Sequence, residues 1–320
     1  MPSLNSQVIA LVGPTAVGKT AVAIELAQRL GAEIVSCDSM QVYQRMPVLS
    51  QVATAAQRAQ ATHHLADCVE PTEPFSVGMY RAMASSLSNA LLERGRRVLV
   101  VGGTGLYLKA LTEGLCQAPP SDQMLRERLW GESRKNGNPA LYHRLQSVDA
   151  AAASRIHPND ARRIIRALEV YTLTGRPLSE WWTDAIDRQW TQPMMVIGLD
   201  RERSELYRRI NERVVHMVYE EAVINEVRAL LRLPLSHTAR QVHGLPDIER
   251  YLNGEQSLKE TIAVWQQRVR HYARRQLIWF RRTPQLRWIG IPDEEKSWQT
   301  AQRLLELIPA PSDSPVTVTS

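Results

Sequence analysis

Gly13-Pro14-Thr15-Ala16-Val17-Gly18-Lys19-Thr20 brings two glycines, a lysine and a hydroxyl together at the spacing of an anion-binding loop. The glycines let the backbone curl so that its N–H groups converge. Lys19 adds a point charge suited to a diphosphate, and the Thr20 hydroxyl can ligate a magnesium ion. Such a loop needs a strand to enter it and a helix to leave it. Val8 to Val12 is an apolar run of strand length, and Ala21, Ile24, Leu26, Ala27 and Leu30 recur at helical spacing. The helix N-terminus contributes its positive dipole end. The chain is therefore expected to bind a phosphate-rich ligand.

A carboxylate is expected nearby. Ala32 to Cys37 reads as a second short strand, ending in Asp38-Ser39-Met40-Gln41. Ligands of open parallel sheets sit beyond the carboxyl ends of the strands, which puts Asp38 beside the loop as a magnesium ligand or a general base. A third strand, Arg97 to Val101, runs into Gly102-Gly103-Thr104-Gly105-Leu106-Tyr107. An ATPase often carries a magnesium-holding aspartate at that strand end. Here the two glycines predict a ligand lying close to the backbone. His63-His64 lacks a third ligand at metal-site spacing and reads as structural or substrate-contacting.

The 320 residues, 44% of them hydrophobic, suffice for two domains. A fourth strand, Met194 to Leu199, and helices over Phe75–Leu92, Arg203–Leu231 and Glu255–Arg282 complete an α/β fold around a parallel sheet. Residues 47–74 read as loop with a short helix. Residues 123–190 carry helical but no strand patterning, so residues 116–190 are read as a helical insertion into a core made of 1–115 and 191–308, with 309–320 a disordered tail. There is no apolar run of about 18 residues and no basic-then-apolar leader, so a cytoplasmic protein without a membrane partner is expected. Cys37, Cys68 and Cys116 form no CxxC pair and read as reduced, small apolar fillers.

The net charge of +6 is concentrated. Thr261 to Pro292 holds no acidic residue but contains Arg268, Arg270, Arg274, Arg275, Arg281, Arg282 and Arg287. Arg268, Arg275 and Arg282 repeat every seven residues on one helical stripe, with Arg270, Arg274 and Arg281 on the next. Trp265, Tyr272 and Trp279 share a third stripe that is expected to be buried. Guanidinium forks suit phosphate oxygens, so a nucleic acid is the expected partner. Arg162, Arg163 and Arg166, crowding the first turns of a helix in the insertion, offer a second contact. A diphosphate grip, a carboxylate and arginine patches are all satisfied by a small phosphorylated donor reacting with a nucleic acid.

The ordered motifs resemble the tRNA dimethylallyltransferase (tRNA isopentenyltransferase) family, bacterial type. They are GPTAVGKT at 13–20, DSMQVY at 38–43, HHL at 63–65, GGTGLY at 102–107, IHPNDARRIIRALEV at 156–170, LYRRINERV at 206–214 and RRQLIWFRR at 274–282. The resemblance implies a P-loop NTPase-like core with a helical insertion. It also implies transfer of a dimethylallyl group from dimethylallyl diphosphate to the exocyclic amine of the adenine 3′ of the anticodon in tRNAs reading codons that start with U. It implies Asp38 as general base, and Lys19, Thr20 with Mg2+, and Arg209 or Arg213 on the diphosphate. Thr104 is placed at the reaction channel and Arg126 on the tRNA. The segments Asp38-Ser39-Met40-Gln41, Arg162-Arg163-Ile164-Ile165-Arg166 and Arg274-Arg275-Gln276-Leu277-Ile278-Trp279-Phe280-Arg281 match tRNA-binding segments. The partners implied are the tRNA anticodon stem-loop and dimethylallyl diphosphate, for a protein read as a monomer.

Two departures stand out. Gly244-Leu245-Pro246 replaces the family's G-Y-K or G-Y-R, removing a basic tRNA contact, and Ile278 replaces a common threonine. Three other functions are compatible with parts of the pattern. A small-molecule kinase using ATP would need no arginine helix. An adenylate isopentenyltransferase would need neither that helix nor the insertion. A non-catalytic RNA-binding module would not need Lys19, Thr20 and Asp38 together.

Overall fold

The computed structural model describes residues 7–183, 190 and 193–309. The tail from residue 310 lies outside the described residues. The chain divides into two compact units, Met1–Thr112 with Trp190–Ser320, and Glu113–Gln189.

The first unit is built on a parallel sheet. Its strands are β1 (Val8–Val12), β2 (Ala32–Ser36), β3 (His63–His64), β4 (Arg97–Gly102), β5 (Met194–Asp200) and β6 (Arg287–Gly290), in the spatial order β3-β2-β4-β1-β5-β6. Val8 pairs in register with Val98 on one side and Met194 on the other. The central strands are apolar on both faces, as buried parallel strands must be. Side chains alternate between two cores with period two. Val8, Ala10, Val12, Val98 and Val100 enter one, while Ile9, Leu11, Leu99 and Val101 enter the other.

Helix α1 (Lys19–Leu30) leaves the phosphate loop and ends on Gly31 in the left-handed conformation. Residues 47–74 hold two short helices rather than one, α2 (Pro47–Ser50) and α3 (Ala55–Gln60), the latter closed by a Thr54/Gln57 capping box, followed by the edge strand β3. Helices α4 (Val77–Glu93) and α5 (Gly105–Thr112) flank β4.

The second unit contains α6 (Gln123–Val148), α7 (Ala150–Arg155), α8 (Ala161–Thr174) and α9 (Leu178–Trp181), packed around Leu129, Leu145, Ile164 and Leu168. Asp122, Asp149 and Asp160 cap three of these helices through side-chain acceptors.

After β5 the first unit continues with α10 (Arg203–Tyr219), α11 (Val223–Leu230), α12 (Leu245–Leu252), α13 (Leu258–Phe280) and, beyond β6, α14 (Ser297–Leu305). The single helix expected over Arg203–Leu231 is broken, because Ala222 takes φ 54° and redirects the chain. No Gly or Pro announces this break. The expected buried aromatic stripe of α13 is also only partly buried. Trp265 is enclosed, Tyr272 is half-buried and Trp279 is exposed, because α13 crosses from the core to the rim of the sheet. Of the cysteines, Cys37 is buried and Cys68 exposed, so the filler reading fails for Cys68.

Candidate active site

The phosphate loop, Asp38 and the Gly102–Gly105 segment all lie at the carboxyl edge of the sheet, each following a central strand. The loop takes left-handed or near-mirror backbone at Gly13 (φ 152°), Ala16 (φ 65°) and Gly18 (φ 110°). Its carbonyls are held by cations. Lys19 Nζ donates to the Gly13 and Pro14 oxygens at 3.0 and 2.9 Å. Arg209 Nε donates to Ala16 O at 2.9 Å and Arg201 Nε to Val17 O at 2.9 Å. The Thr15 N–H is taken by Gln276 Oε1 at 2.9 Å and the Val17 N–H by Pro14 O at 3.4 Å, which leaves the N–H groups at the start of the following helix to an anion.

A cavity of about 740 Å³ opens against this loop. Thr15, Ala16, Gly18, Lys19 and Thr20 form its phosphate end, with Asp38, Arg209 and Arg213 beside them. Val48, Val214, Met217, Val242, Trp265 and Val269 give it an apolar wall, to which Tyr272 and His243 add polar edges. Gly13, Pro14 and Val17 lie behind the loop, outside that lining.

The electrostatics fit an anion. Burial lowers the Lys19 ammonium to about 8, with Asp38 opposing the shift and Arg213 adding to it. Burial likewise raises the Asp38 carboxyl above its usual range, opposed by the Met40 N–H, which donates to Oδ1 at 3.0 Å, and by Lys19. Arg213 has no hydrogen bond or salt bridge among the described residues, and burial and Arg209 lower its pKa. Lys19 and Arg213 are thus two crowded cations facing one cavity. A diphosphate there would relieve the repulsion between them.

Gly102 lines the cavity, but the glycines at the end of β4 also let parts of this chain come close. A methyl group on Gly102 would overlap the Cys37 carbonyl, one on Gly103 the Gln276 amide, and one on Gly105 the Trp279 indole. At those Cβ positions the space is taken by this chain's own atoms. Cys37 N–H donates to Val101 O at 2.7 Å and Thr104 N–H to Cys37 O at 3.1 Å, so the ends of β2 and β4 are tied together. The Thr104 hydroxyl accepts from Ser39 N–H at 2.9 Å and donates to Ser39 Oγ at 3.2 Å. Thr104 is not one of the cavity's lining residues and instead holds the Asp38–Gln41 turn in place, of which Asp38, Met40 and Gln41 do line the cavity.

The candidate tRNA-contacting residues divide sharply. Ile164, Ile165 and Phe280 are buried among apolar side chains, and Gln276 is buried at 5% exposure, so none presents a side chain to a polyanion. Arg126 and Arg166 converge on the fully buried Glu169 at 2.9 and 2.7 Å, which anchors them inside the second unit. Arg162 and Arg163 are exposed, the latter near Asp160 at 3.3 Å. On α13, Arg268 pairs with the buried Asp247 at 2.8 Å and Arg270 donates to Asn211 Oδ1 at 2.6 Å. Arg274, Arg275, Ile278, Trp279 and Arg281 are exposed, with Leu277 half-buried. Pro246 enters the first turn of α12, and Leu245 is buried.

His64 Nε2 meets Glu33 at 2.7 Å and His63 Nδ1 meets Ala61 O at 2.8 Å, which gives the pair a structural role at the sheet edge. Among the described residues no group of three or more His, Cys, Asp or Glu side chains could hold a metal. Nor is any described helix long and apolar enough to cross a membrane.

Sequence reasoning missed Arg201 and Tyr272. Arg201 follows β5 at the carboxyl edge, the position that already singled out Asp38 after β2. Tyr272 was assigned to the core stripe, and its helical register does not say how far along α13 the core extends.

Parallel sheet, glycine loop and cation-lined cavity define a P-loop-like α/β protein. The comparisons with known proteins narrow this class. The family model for IPP transferases matches residues 41–283, and that for isopentenyl transferases matches residues 6–65. A tRNA dimethylallyltransferase of Syntrophobacter fumaroxidans is 44% identical over 288 residues, covering 89% of this chain and 84% of the relative. That of Geobacillus thermodenitrificans is 43% identical, covering 92% and 93%. Among solved structures, the tRNA isopentenylpyrophosphate transferase of Bacillus halodurans matches with TM-score 0.67 and 36% identity, covering 96% of this chain and 97% of that one. A eukaryotic dimethylallyltransferase acting on tRNA matches with TM-score 0.79 and 25% identity, covering 93% and 77%. The chain belongs to the IPP transferase family, the family of the tRNA dimethylallyltransferases.

Proposed function

We propose that this enzyme transfers the dimethylallyl group of dimethylallyl diphosphate to the exocyclic N6 amine of the adenine 3′ of the anticodon, in tRNAs reading codons that begin with U. The observation that carries this reading is one cavity with three kinds of wall: a cationic phosphate loop, a buried carboxylate and an apolar flank. A prenyl diphosphate needs a charged end and an apolar end, and its acceptor amine needs a base.

Lys19, Arg213 and the loop amides hold the diphosphate, and the Thr20 hydroxyl offers a hard oxygen ligand for Mg2+. A hydroxyl at this position beside a phosphate site suits an ion shared with substrate phosphates, the usual magnesium arrangement. Such an ion would neutralise charge on the departing diphosphate. In the reaction N6 bonds to the terminal carbon of the prenyl group as the carbon–oxygen bond to diphosphate breaks. N6 then carries positive charge, and Asp38 takes its proton. Burial makes Asp38 a stronger base than an ordinary carboxylate, while Lys19 helps keep it ionised. The adenine must leave the anticodon-loop stack, at a cost of a few kcal/mol. The exposed Arg162, Arg163, Arg274, Arg275 and Arg281 would offset that by phosphate contacts.

The test is product analysis with unmodified tRNA, magnesium and isotope-labelled dimethylallyl diphosphate, run beside a reaction with labelled ATP. Label in the adenine next to the anticodon is the expected result. Consumption of ATP with no label in tRNA would overturn the reading in favour of a kinase.

A further inference from the structure

We infer that Gln276 is a positioning residue that sets the spacing between the diphosphate loop and the Asp38 turn. The inference deepens the proposed transferase reading and rests on it for its kinetic consequences, not for its geometry. Gln276 lies on α13, 261 positions from the phosphate loop, with its side chain inserted at the sheet rim. Its Oε1 accepts from the Thr15 N–H at 2.9 Å, and its Nε2 donates to Gly103 O at 2.9 Å. One amide therefore links the loop that follows β1 to the strand end that follows β4.

The strand end in turn carries the base. Gly103 precedes Thr104, whose hydroxyl holds Ser39 and whose N–H donates to Cys37 O. Cys37 and Ser39 flank Asp38. The connection thus runs from Thr15 through the Gln276 side chain and Gly103 to both neighbours of Asp38. Two further residues lie on the same face of α13. The Tyr272 phenol lies beside Thr104 and Gln276, and Trp279 packs on Gly105. A carboxamide suits this position, since it must accept from an N–H with one end and donate to a carbonyl with the other. A buried amide lacking either partner would be costly. The absence of a Cβ at Gly103 is what lets the Gln276 amide approach.

Misplacing a reacting group by about 1 Å can cost on the order of 10²-fold in rate. Loss of the Gln276 bridge should therefore slow the chemical step and leave tRNA capture alone. A direct tRNA contact by Gln276 would do the opposite.

The experiment compares wild type with Gln276→Ala and Gln276→Glu by single-turnover transfer to unmodified tRNA, and by amide hydrogen exchange of the peptide spanning Thr15. Gln276→Ala is expected to lower the rate at saturating substrates by about 10- to 100-fold, with the KM for tRNA within twofold of wild type. Its Thr15 peptide should exchange at least fivefold faster. Gln276→Glu supplies a signature that mere destabilisation would not. When protonated, its carboxyl can accept from Thr15 and donate to Gly103, as the amide does. When ionised, it sets a charge against the Gly103 carbonyl. Its activity relative to wild type should therefore climb as pH falls.

A rise in tRNA KM with an unchanged saturating rate would overturn the inference, as would an unchanged Thr15 exchange rate or a Gln276→Glu ratio flat with pH. The exchange measurement needs no substrate. If wild type labelled no tRNA, the transferase reading would fail, while the exchange result would still decide the bridge. Should Gln276→Ala fail to fold, Gln276→Glu, of equal size, decides by the same two readouts.

Discussion

Two glycine-rich strand ends lie on neighbouring strands of one sheet, and they differ in what fills the space beside them. After β1, an added Cβ on Gly13 would overlap the Leu199 carbonyl of β5 at 2.6 Å, whereas one on Gly18 would find nothing nearer than the Arg201 guanidinium at 3.9 Å, and there the loop faces an open cavity. After β4, added Cβ atoms on Gly102, Gly103 and Gly105 would each run into atoms of this chain. Both motifs are glycine-rich because something must come close to the backbone. In the first it is β5 at Gly13 and a space that fits a ligand at Gly18, and in the second it is β2 and α13. Glycine density at a strand end therefore signals close approach, and only the neighbours say of what.

The sharpest way to probe the open end is Lys19→Ala. Removing the cation from a desolvated phosphate site is expected to cost about 10³-fold in kcat/KM, with the melting temperature little changed, as kinetics and thermal melts on the same preparation would show. If stability fell and the residual activity per folded molecule did not, the loop would be as closed as its neighbour. At the filled end the ranking reverses. Gly102→Ala meets immobile backbone and is expected to destabilise by about 3 kcal/mol, measurable by denaturant unfolding. Gly105→Ala meets only the Trp279 side chain, which is exposed and can swing away, so about 1 kcal/mol is expected. Equal costs at the two sites would show that the Trp279 contact is as rigid as the Cys37 carbonyl.

The lysine also carries a pH signature. In the free protein Lys19 loses its proton near 8, and a bound diphosphate holds that proton on. The protonated form binds better, so affinity is fully present below 8 and falls as pH rises through it. Calorimetric titration with dimethylallyl diphosphate should show weakening above pH 8 and net proton uptake on binding there. A flat profile would mean that the lysine is no more buried than a surface cation.

The smallest expected effect separates the arginines. Arg162→Ala should flatten the slope of log K against log salt for tRNA by about one unit and leave stability alone. Arg166→Ala strips one partner from the buried Glu169, which keeps Arg126 and the Asp122 N–H, and should mainly lower stability, by about 1 kcal/mol. Equal salt slopes for the two variants would remove the distinction.

The parallel sheet and the phosphate loop were legible because apolar runs and loop glycines are local signals, and β1 and α1 begin where the pattern says. The edge strand β6 was not legible, since Arg287-Trp288-Ile289-Gly290 is short and half-exposed. Nor was the kink at Ala222, where no special residue marks the left-handed backbone. At the site, Asp38 could be placed by the rule that ligands gather beyond strand ends. The bridging role of Gln276 could not, because its partners stand 261 and 173 positions away, and RRQLIWFRR read as a run of arginines hides the one buried amide inside it. Nor could Glu169 be recognised as the buried partner of Arg126 and Arg166, which it holds while both keep part of their side chains exposed.

The central claim is that a diphosphate and a base share one cavity, and Asp38→Asn tests it most directly. The asparagine keeps the shape and can still accept from the Met40 N–H, but it cannot take a proton. Single-turnover transfer with labelled dimethylallyl diphosphate, at saturating tRNA, should slow by about 10²- to 10⁴-fold, with the tRNA dissociation constant within twofold of wild type. Transfer at the wild-type rate, or a loss accounted for by weaker tRNA binding, would contradict the account.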